Sequence, residues 1–313
     1  MISVRYHIVS ITAVFLALAV GVVLGSTAIS GRLLSGLNDD KDALGREVAA
    51  LRVERDDLDA RLAAADRFAA SVGPPAVRGS LAERTVVLVT TADAAPDDRD
   101  ALTGLLRAAG ATVTGELRLT ESFADLDRSE KLLDLVARLQ PAGSRLPTGA
   151  DPGTRAGGLL GSLLLVDKDT GQPRSTPEEL AAALGGLASA GFVKPPDQGL
   201  RPAQLAVVLT GGSVSGESAT DRAAVVARFA TQLDRSGAGV VLAGSVGSAD
   251  GTGAVGVVRA DTAATSVLST VDDVGTAAGR VVAVLALREQ LEGKAGRYGM
   301  AGNAEAPAPG MSG

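Results

Sequence analysis

Residues 85–91 read TVVLVTT, a β-branched run with no alternation of apolar and polar positions. A strand with one wet face alternates; a strand buried on both faces does not, and burial on both faces is the condition of a parallel sheet. Leu205–Leu209 (LAVVL) and Gly239–Ala243 (GVVLA) have the same character. Ala111–Leu119 reads as a further strand and Ala254–Val258 (AVGVV) as another. Helical stretches separate them. Pro96–Ala109 begins with Asp97 and Asp98 at the positive end of a helix and stops at Gly110. A helix opens near Ser122 and runs through Glu130–Leu139, and Gly157–Val166 fits either helix or strand. Thr176–Ala190 starts on a capping pattern with proline in its first turn. Ser218–Leu233 and Thr276–Leu291 complete the set, the second as a helix or a strand running into one. Strands alternating with helices predict an α/β domain over residues 80–295, its sheet largely parallel and flanked by helices.

Upstream, 24 uncharged residues stand between His7 and Arg32. As a helix they reach about 36 Å, enough to cross a hydrocarbon core of about 30 Å. The rival reading is a cleaved signal peptide, but the apolar run exceeds the usual length and no clean A-x-A site closes it. Residues 1–31 are therefore expected to be a membrane anchor, spanning at about 8–29. The short head and long remainder predict a single-pass protein with its C-terminal domain outside the cytoplasm. Gly21 and Gly25, four apart, put two small residues on one helix face where a second backbone can approach.

Residues 35–67 carry a seven-residue repeat: Leu37, Leu44, Leu51, Leu58 and Ala65, with Lys41, Val48, Arg55 and Leu62 four positions on. Seven bases and nine acids fill the span from Arg32 to Arg67. This pattern predicts a short parallel coiled coil with Leu37, Leu44, Val48, Leu51, Leu58 and Leu62 in its core. The alternative is one amphipathic helix lying on its own domain. A coil directly above a small-x-x-x-small span favours a homo-oligomer. Gly73-Pro74-Pro75 is expected to end the helix. Residues 300–313, rich in Pro, Gly and Ala, read as a disordered tail.

Composition excludes more chemistry than it suggests. The chain of 313 residues has no Cys and one His, which removes disulfides, thiolate metal sites and Ser-His-Asp triads. With 36 acids against 30 bases the charge is −6, which argues against a nucleic-acid partner. No catalytic residue, cofactor or metal-ligand set emerges. Soft donors for Cu(I) are limited to Met1, Met300, Met311 and His7, none spaced as a site. Asp272 and Asp273, with Asp261, could hold a hard cation, but such acids more often cap a helix. Gly211, Gly212, Ser213, Ser215 and Gly216 follow a buried strand and precede a helix, the usual place for a ligand loop in an open parallel sheet. They match neither a phosphate loop nor a dinucleotide fingerprint, and a plain turn explains them as well. Gly244–Gly253 is a similar loop; both at one sheet edge would form a shallow pocket.

Several long stretches carry a resemblance: MISVRYHIVSITAVFLALAVGVVLG at 1–25, LTESFADLDRSEKL at 119–132, LQPAGSRL at 139–146, STVDDVGTAAGRVVAVLALREQLEG at 269–293, and GRYG at 296–299. In this order they resemble the mycobacterial copper transport protein B (MctB) family. The resemblance implies an actinobacterial cell-envelope protein of copper homeostasis, a transport or efflux component or an accessory to one, with copper as the transported ion. It supplies no catalytic residues. A β-barrel pore does not fit two Tyr, no Trp and continuous apolar strands. The alternative function is an envelope scaffold, oligomeric through its coil, whose α/β domain binds a protein partner or an anionic ligand.

Overall fold

The computed structural model describes residues 4–141, 147, 151–196 and 199–310, without the side chains of 26–40. The chain divides into two compact units, Met1–Ala65 and Asp66–Gly313. Helix α1 (Val4–Val77) supplies the whole described part of the first. Its segment Val4–Gly25 is long and apolar enough to cross a membrane. Gly21 and Gly25 have open space where a side chain would stand. Leu44, Val48, Leu51, Leu58 and Leu62 are all exposed. Leu37 lies outside the described side chains, as do residues 26–29 of the expected span. Pairs such as Arg61–Asp57, at 2.7 Å, lace the charged faces of the helix.

The second unit begins inside α1. The N–H of Ala277 donates to Asp66 Oδ1 at 2.6 Å, and Val77 is fully buried. Pro74 and Pro75 fall within the last turn of the helix, not beyond it. Their missing N–H groups are tolerated because this turn is packed: a side chain on Gly73 would stand 2.9 Å from Val281. After it come β1 (Thr85–Thr90), α2 (Pro96–Ala108) and β2 (Thr112–Arg118). Two single 3-10 turns, Glu121–Phe123 and Leu126–Arg128, replace the start of the helix expected near Ser122, and α3 covers Ser129–Arg138. Most of LQPAGSRL lies outside the described residues. The ambiguous run at 157–166 is helical, as α4 (Pro152–Leu164), and α5 (Pro177–Ser189) carries a complete capping box between Thr176 and Glu179. Then follow β3 (Leu205–Thr210), α6 (Ala219–Asp234), β4 (Val240–Gly244), α7 (Ala254–Arg259), α8 (Thr262–Thr265), β5 (Ser269–Val271), α9 (Ala277–Leu291) and β6 (Arg297–Tyr298). The expected strand at 254–258 is thus the helix α7. A five-residue apolar run cannot distinguish the two by periodicity, and the strand beside β4 is the less apolar β5.

All six strands are parallel, in the order β2-β1-β3-β4-β5-β6. Alternate residues feed two cores. Val87, Val89, Ala206, Val208, Val240 and Leu242 face α3 to α7. Val86, Leu88, Val207, Leu209, Val241 and Ala243 face α2, α9 and the end of α1. The steps β1–α2–β2 and β5–α9–β6 run in opposite directions, yet both helices cover the same face, so these two crossovers have opposite hands. Crossovers are right-handed in all but a few per cent of cases. The exception is tolerated where β6 contributes only two residues and α9 closes a face that α2 and the end of α1 leave open.

Glycine sets the spacing on the other face. Gly153, Gly157 and Gly161 form one stripe of α4, pressed against α6 and its end: a Cβ on Gly157 would lie 2.7 Å from the Phe229 carbonyl oxygen, and one on Gly161 2.5 Å from Ser236. Phe229 also meets Phe123 edge-on, with centroids 5.2 Å apart.

At the far edge one cation ties four segments. Arg259 and Asp272, whose side chains are 2% and 3% exposed, pair at 2.6 Å. The guanidinium also donates to Thr270 Oγ1, Asn303 Oδ1 and the Tyr298 carbonyl, at 3.1, 2.8 and 2.7 Å. Burial pushes the Arg259 pKa down and the Asp272 contact opposes it. Asp272 accepts from the N–H of Met300 at 2.8 Å, and Glu305 N–H donates to the Arg297 carbonyl at 2.7 Å. Residues 300–310 are therefore held to the domain, contrary to the disordered tail expected from their composition; residues 311–313 lie outside the described ones. Composition missed this because the hub is assembled from residues some 40 positions apart. The acids weighed as a cation site are divided too: Asp261 caps α8, Asp272 serves Arg259, and Asp273 is buried, which raises its pKa.

Four substitutions test this fold by urea unfolding. Gly157→Ala is expected to lose about 1–3 kcal/mol by overpacking, whereas Gly185→Ala, in α5 with open space around it, gains about 0.4–1 kcal/mol. Arg259→Leu leaves Asp272 buried and unpaired and is expected to cost about 3–5 kcal/mol. Asp234 accepts from the Val240 N–H at 2.8 Å, but burial dominates and pushes its carboxyl up to about 7 from 3.8. The folded state then keeps a proton that the unfolded chain releases above about pH 4, so stability falls as pH rises toward about 7. Asp234→Asn keeps the acceptor and cannot ionise; the difference between the two proteins should change by about 1 kcal/mol per pH unit over that window. A pH-independent difference contradicts this reading.

Candidate functional site

The strand order reverses between β1 and β3, and in open α/β sheets ligands bind in the crevice beyond the carboxyl ends of the strands at that point. A cleft of about 310 Å³ lies there. Its walls come from three segments: Thr91–Asp93 after β1, Leu119–Glu121 with Phe123 and Ala124 after β2, and Thr210 at the end of β3 with Ser213–Ser215 beyond it. Arg222, Ala223 and Val226 of α6 and Ala254 of α7 complete it.

Each wall is held by its own bonds. Thr91 N–H donates to the Leu209 carbonyl at 2.9 Å, and the Thr91 hydroxyl donates to Asp93 Oδ1. Thr120 donates through its N–H to the Phe192 carbonyl at 3.0 Å and through its hydroxyl to the Gly191 carbonyl at 2.5 Å. Arg128 donates to Ser122 Oγ at 2.5 Å and to the Ala190 carbonyl at 2.6 Å, while its guanidinium stands 4.8 Å from the centre of the Phe192 ring. These contacts fix the turn that carries Glu121 and Phe123. Val214 N–H donates to the Thr252 carbonyl at 3.0 Å.

Sequence reasoning reached the third wall only. Of the five loop residues, Ser213 and Ser215 line the cleft. Gly211 and Gly212 instead allow close approach: a Cβ on Gly211 would lie 2.6 Å from the Asp93 carbonyl oxygen, and one on Gly212 2.5 Å from that of Val246. Gly216, at φ +104°, turns the chain toward α6. No residue of the second loop, 244–253, is among those lining this cleft. That loop braces the first from behind, with Ser245 N–H donating to the Gly211 carbonyl at 3.2 Å. Asp93, Glu121, Phe123 and Arg222 were missed because none of them belongs to a local motif. Only the strand order brings them together.

The chemistry of the lining is mixed. Leu119, Phe123, Ala223 and Val226 are buried and give an apolar floor. Hydroxyls come from Thr91, Thr120, Thr210, Ser213 and Ser215, and charge from Asp93, Glu121 and Arg222. Arg222 Nη2 donates to the Ser215 carbonyl at 2.6 Å, whereas its Nε is buried with no hydrogen-bond partner among the described residues. One guanidinium against two carboxylates is poor company for a phosphate dianion. No sulfur or imidazole lines the cleft, so a soft metal finds no preferred donor there. No group of three His, Cys, Asp or Glu suited to a metal occurs among the described residues.

Comparison with known proteins places the whole chain. Two proteins named copper transporter MctB, from Mycobacterium bovis and Mycobacterium tuberculosis, are each 41% identical over 304 residues, covering 96% of this chain and 96% of their own. The Mycobacterium leprae protein of that name is 39% identical over 307 residues, with the same coverage. The family model described as "Copper transport outer membrane protein, MctB" matches residues 1–309, and this chain belongs to that family.

Proposed function

We propose that this protein acts in copper homeostasis at the cell envelope, as an anchored, oligomeric accessory to copper export. The copper part rests on family membership, since the relatives are named copper transporters. The observation that carries the rest is the exposed apolar seam of α1 directly above an apolar span. Leu44, Val48, Leu51, Leu58 and Leu62 present a leucine repeat to solvent in the single chain, and Gly21 and Gly25 leave one face of the span open. Pairing two or more copies in parallel buries both at once. Lys41 and Arg55, at equivalent positions of that repeat, disfavour deeper burial and favour one register, as polar core residues do at a cost in stability. In this reading the domain of residues 66–310 stands outside the cytoplasm and does not itself hold copper, because its one soft donor, the Met300 thioether, has no second soft ligand in that span and the rest are hard carboxylate and hydroxyl oxygens. Copper would pass through a channel that the oligomerised spans form or through a partner that they recruit.

Cells lacking the gene are expected to accumulate copper, and the full chain to restore the normal level. A variant carrying Leu44→Asn, Leu51→Asn and Leu58→Asn should reach the membrane, sediment as a monomer in detergent and fail to restore copper. Unchanged copper in the deletion strain would remove the copper role. Full rescue by a monomeric triple variant would remove the oligomer.

A further inference from the structure

We propose that the cleft between β1 and β3 binds a small zwitterion of the amino-acid class, free or as a short peptide. The inference is independent of the copper reading.

The charges argue for both ends of such a molecule. Arg222 already spends Nη2 on the Ser215 carbonyl, and its buried Nε lacks an acceptor. A ligand carboxylate in the cleft supplies an acceptor for the N–H groups that the guanidinium does not spend on Ser215, as a charge-assisted hydrogen bond. Asp93 and Glu121 provide the opposite need. Asp93 receives the Thr91 hydroxyl on one oxygen only, and Glu121 is exposed with no side-chain partner among the described residues. An ammonium between these carboxylates balances them. The three groups sum to −1, so net charge alone favours a monocation; what asks for a carboxylate on the same guest is the guanidinium, and a polyanion meets two carboxylates.

The remainder of the lining specifies the body of the ligand. Leu119, Phe123 and Val226 give the cleft an apolar part as well as its charged groups, fit for an aliphatic side chain. The volume of about 310 Å³ stands at the lower end of known ligand pockets, which run about 300–1,000 Å³. It suits an amino acid or dipeptide better than a nucleotide. The walls are braced before any ligand arrives, by the Thr91, Thr120, Arg128 and Val214 bonds already described, so little ordering opposes binding.

Calorimetry on the full-length protein in detergent tests this with defined probes. The panel is the twenty amino acids, alanyl-leucine, and two truncated forms of leucine: 4-methylpentanoate, lacking the ammonium, and 3-methylbutylamine, lacking the carboxylate. At least one aliphatic amino acid or the dipeptide is expected to bind one to one, and which of the two binds tighter separates a free amino acid from a peptide. Both truncated forms should bind about tenfold or more weakly. Arg222→Gln and Glu121→Gln, each checked for unchanged melting temperature, should weaken binding by a similar factor. If Arg222→Gln melts early, Glu121→Gln, at an exposed position, decides. Silence across the panel, equal binding of either truncated form, or binding unaffected by Glu121→Gln overturns the proposal.

Discussion

A sheet made only of parallel strands has no wet face, and this requirement governs the second unit of the chain. Every residue of β3 is buried, and its alternate side chains supply two separate cores. Both faces must then be roofed with helices, which fixes where each crossover can lie. The opposite hand of the β5–α9–β6 step follows from the same demand. Without α9, α2 and the end of α1 would leave Val241 and Ala243 uncovered, and α9 closes that face at the cost of an unusual connection to a two-residue edge strand.

The scarcity of aromatics sharpens the problem. Aromatics are 2% of the chain, so the cores are filled by Val, Leu and Ala, which bridge short distances only. Helices must therefore approach closely, and the glycine stripe of α4 brings α6 within reach of backbone contact. Dispersion and burial both reward such closeness. Where an aromatic does occur in this core, it sits at a junction: Phe123 and Phe229 join the β2 loop to α6, and Phe192 receives Arg128. The packing that stabilises the face thereby also fixes the turn at the wall of the cleft.

This explains what could be read from the sequence and what could not. Continuous apolar runs at 85–91, 205–209 and 239–243 announced a parallel sheet, because burial on both faces leaves a local mark. The capping box at Thr176 and Glu179 did likewise for α5. The run at 254–258 failed, since a short buried helix and a short buried strand share a composition. Arg259, Asp272 and Asn303 gave no local sign, and neither did the association of Asp93, Glu121 and Arg222. Their meeting depends on strand order, which is a property of the whole sheet. The loop 211–216 was found because a glycine cluster after a strand is a local pattern, yet its glycines serve the approach of neighbouring loops and its serines line the cleft.

Family membership and donor chemistry together constrain how copper enters the picture. A site that retains Cu(I) needs thiolate, thioether or imidazole, and this chain has no Cys, one His and three Met. Met300 is exposed, and its N–H serves Asp272. His7 precedes most of the apolar span, on the same stretch of α1. A role that required the domain to sequester copper would leave this donor inventory unexplained. The proposed role, in which identical spans would assemble and the domain would answer to an organic ligand at its switch point, accounts for both the bare glycine face of the span and the oxygen-rich cleft. The two halves of that arrangement make separate demands on the sequence. The span and the leucine repeat need only spacing, whereas the cleft needs Asp93, Glu121 and Arg222 to arrive from three different connections.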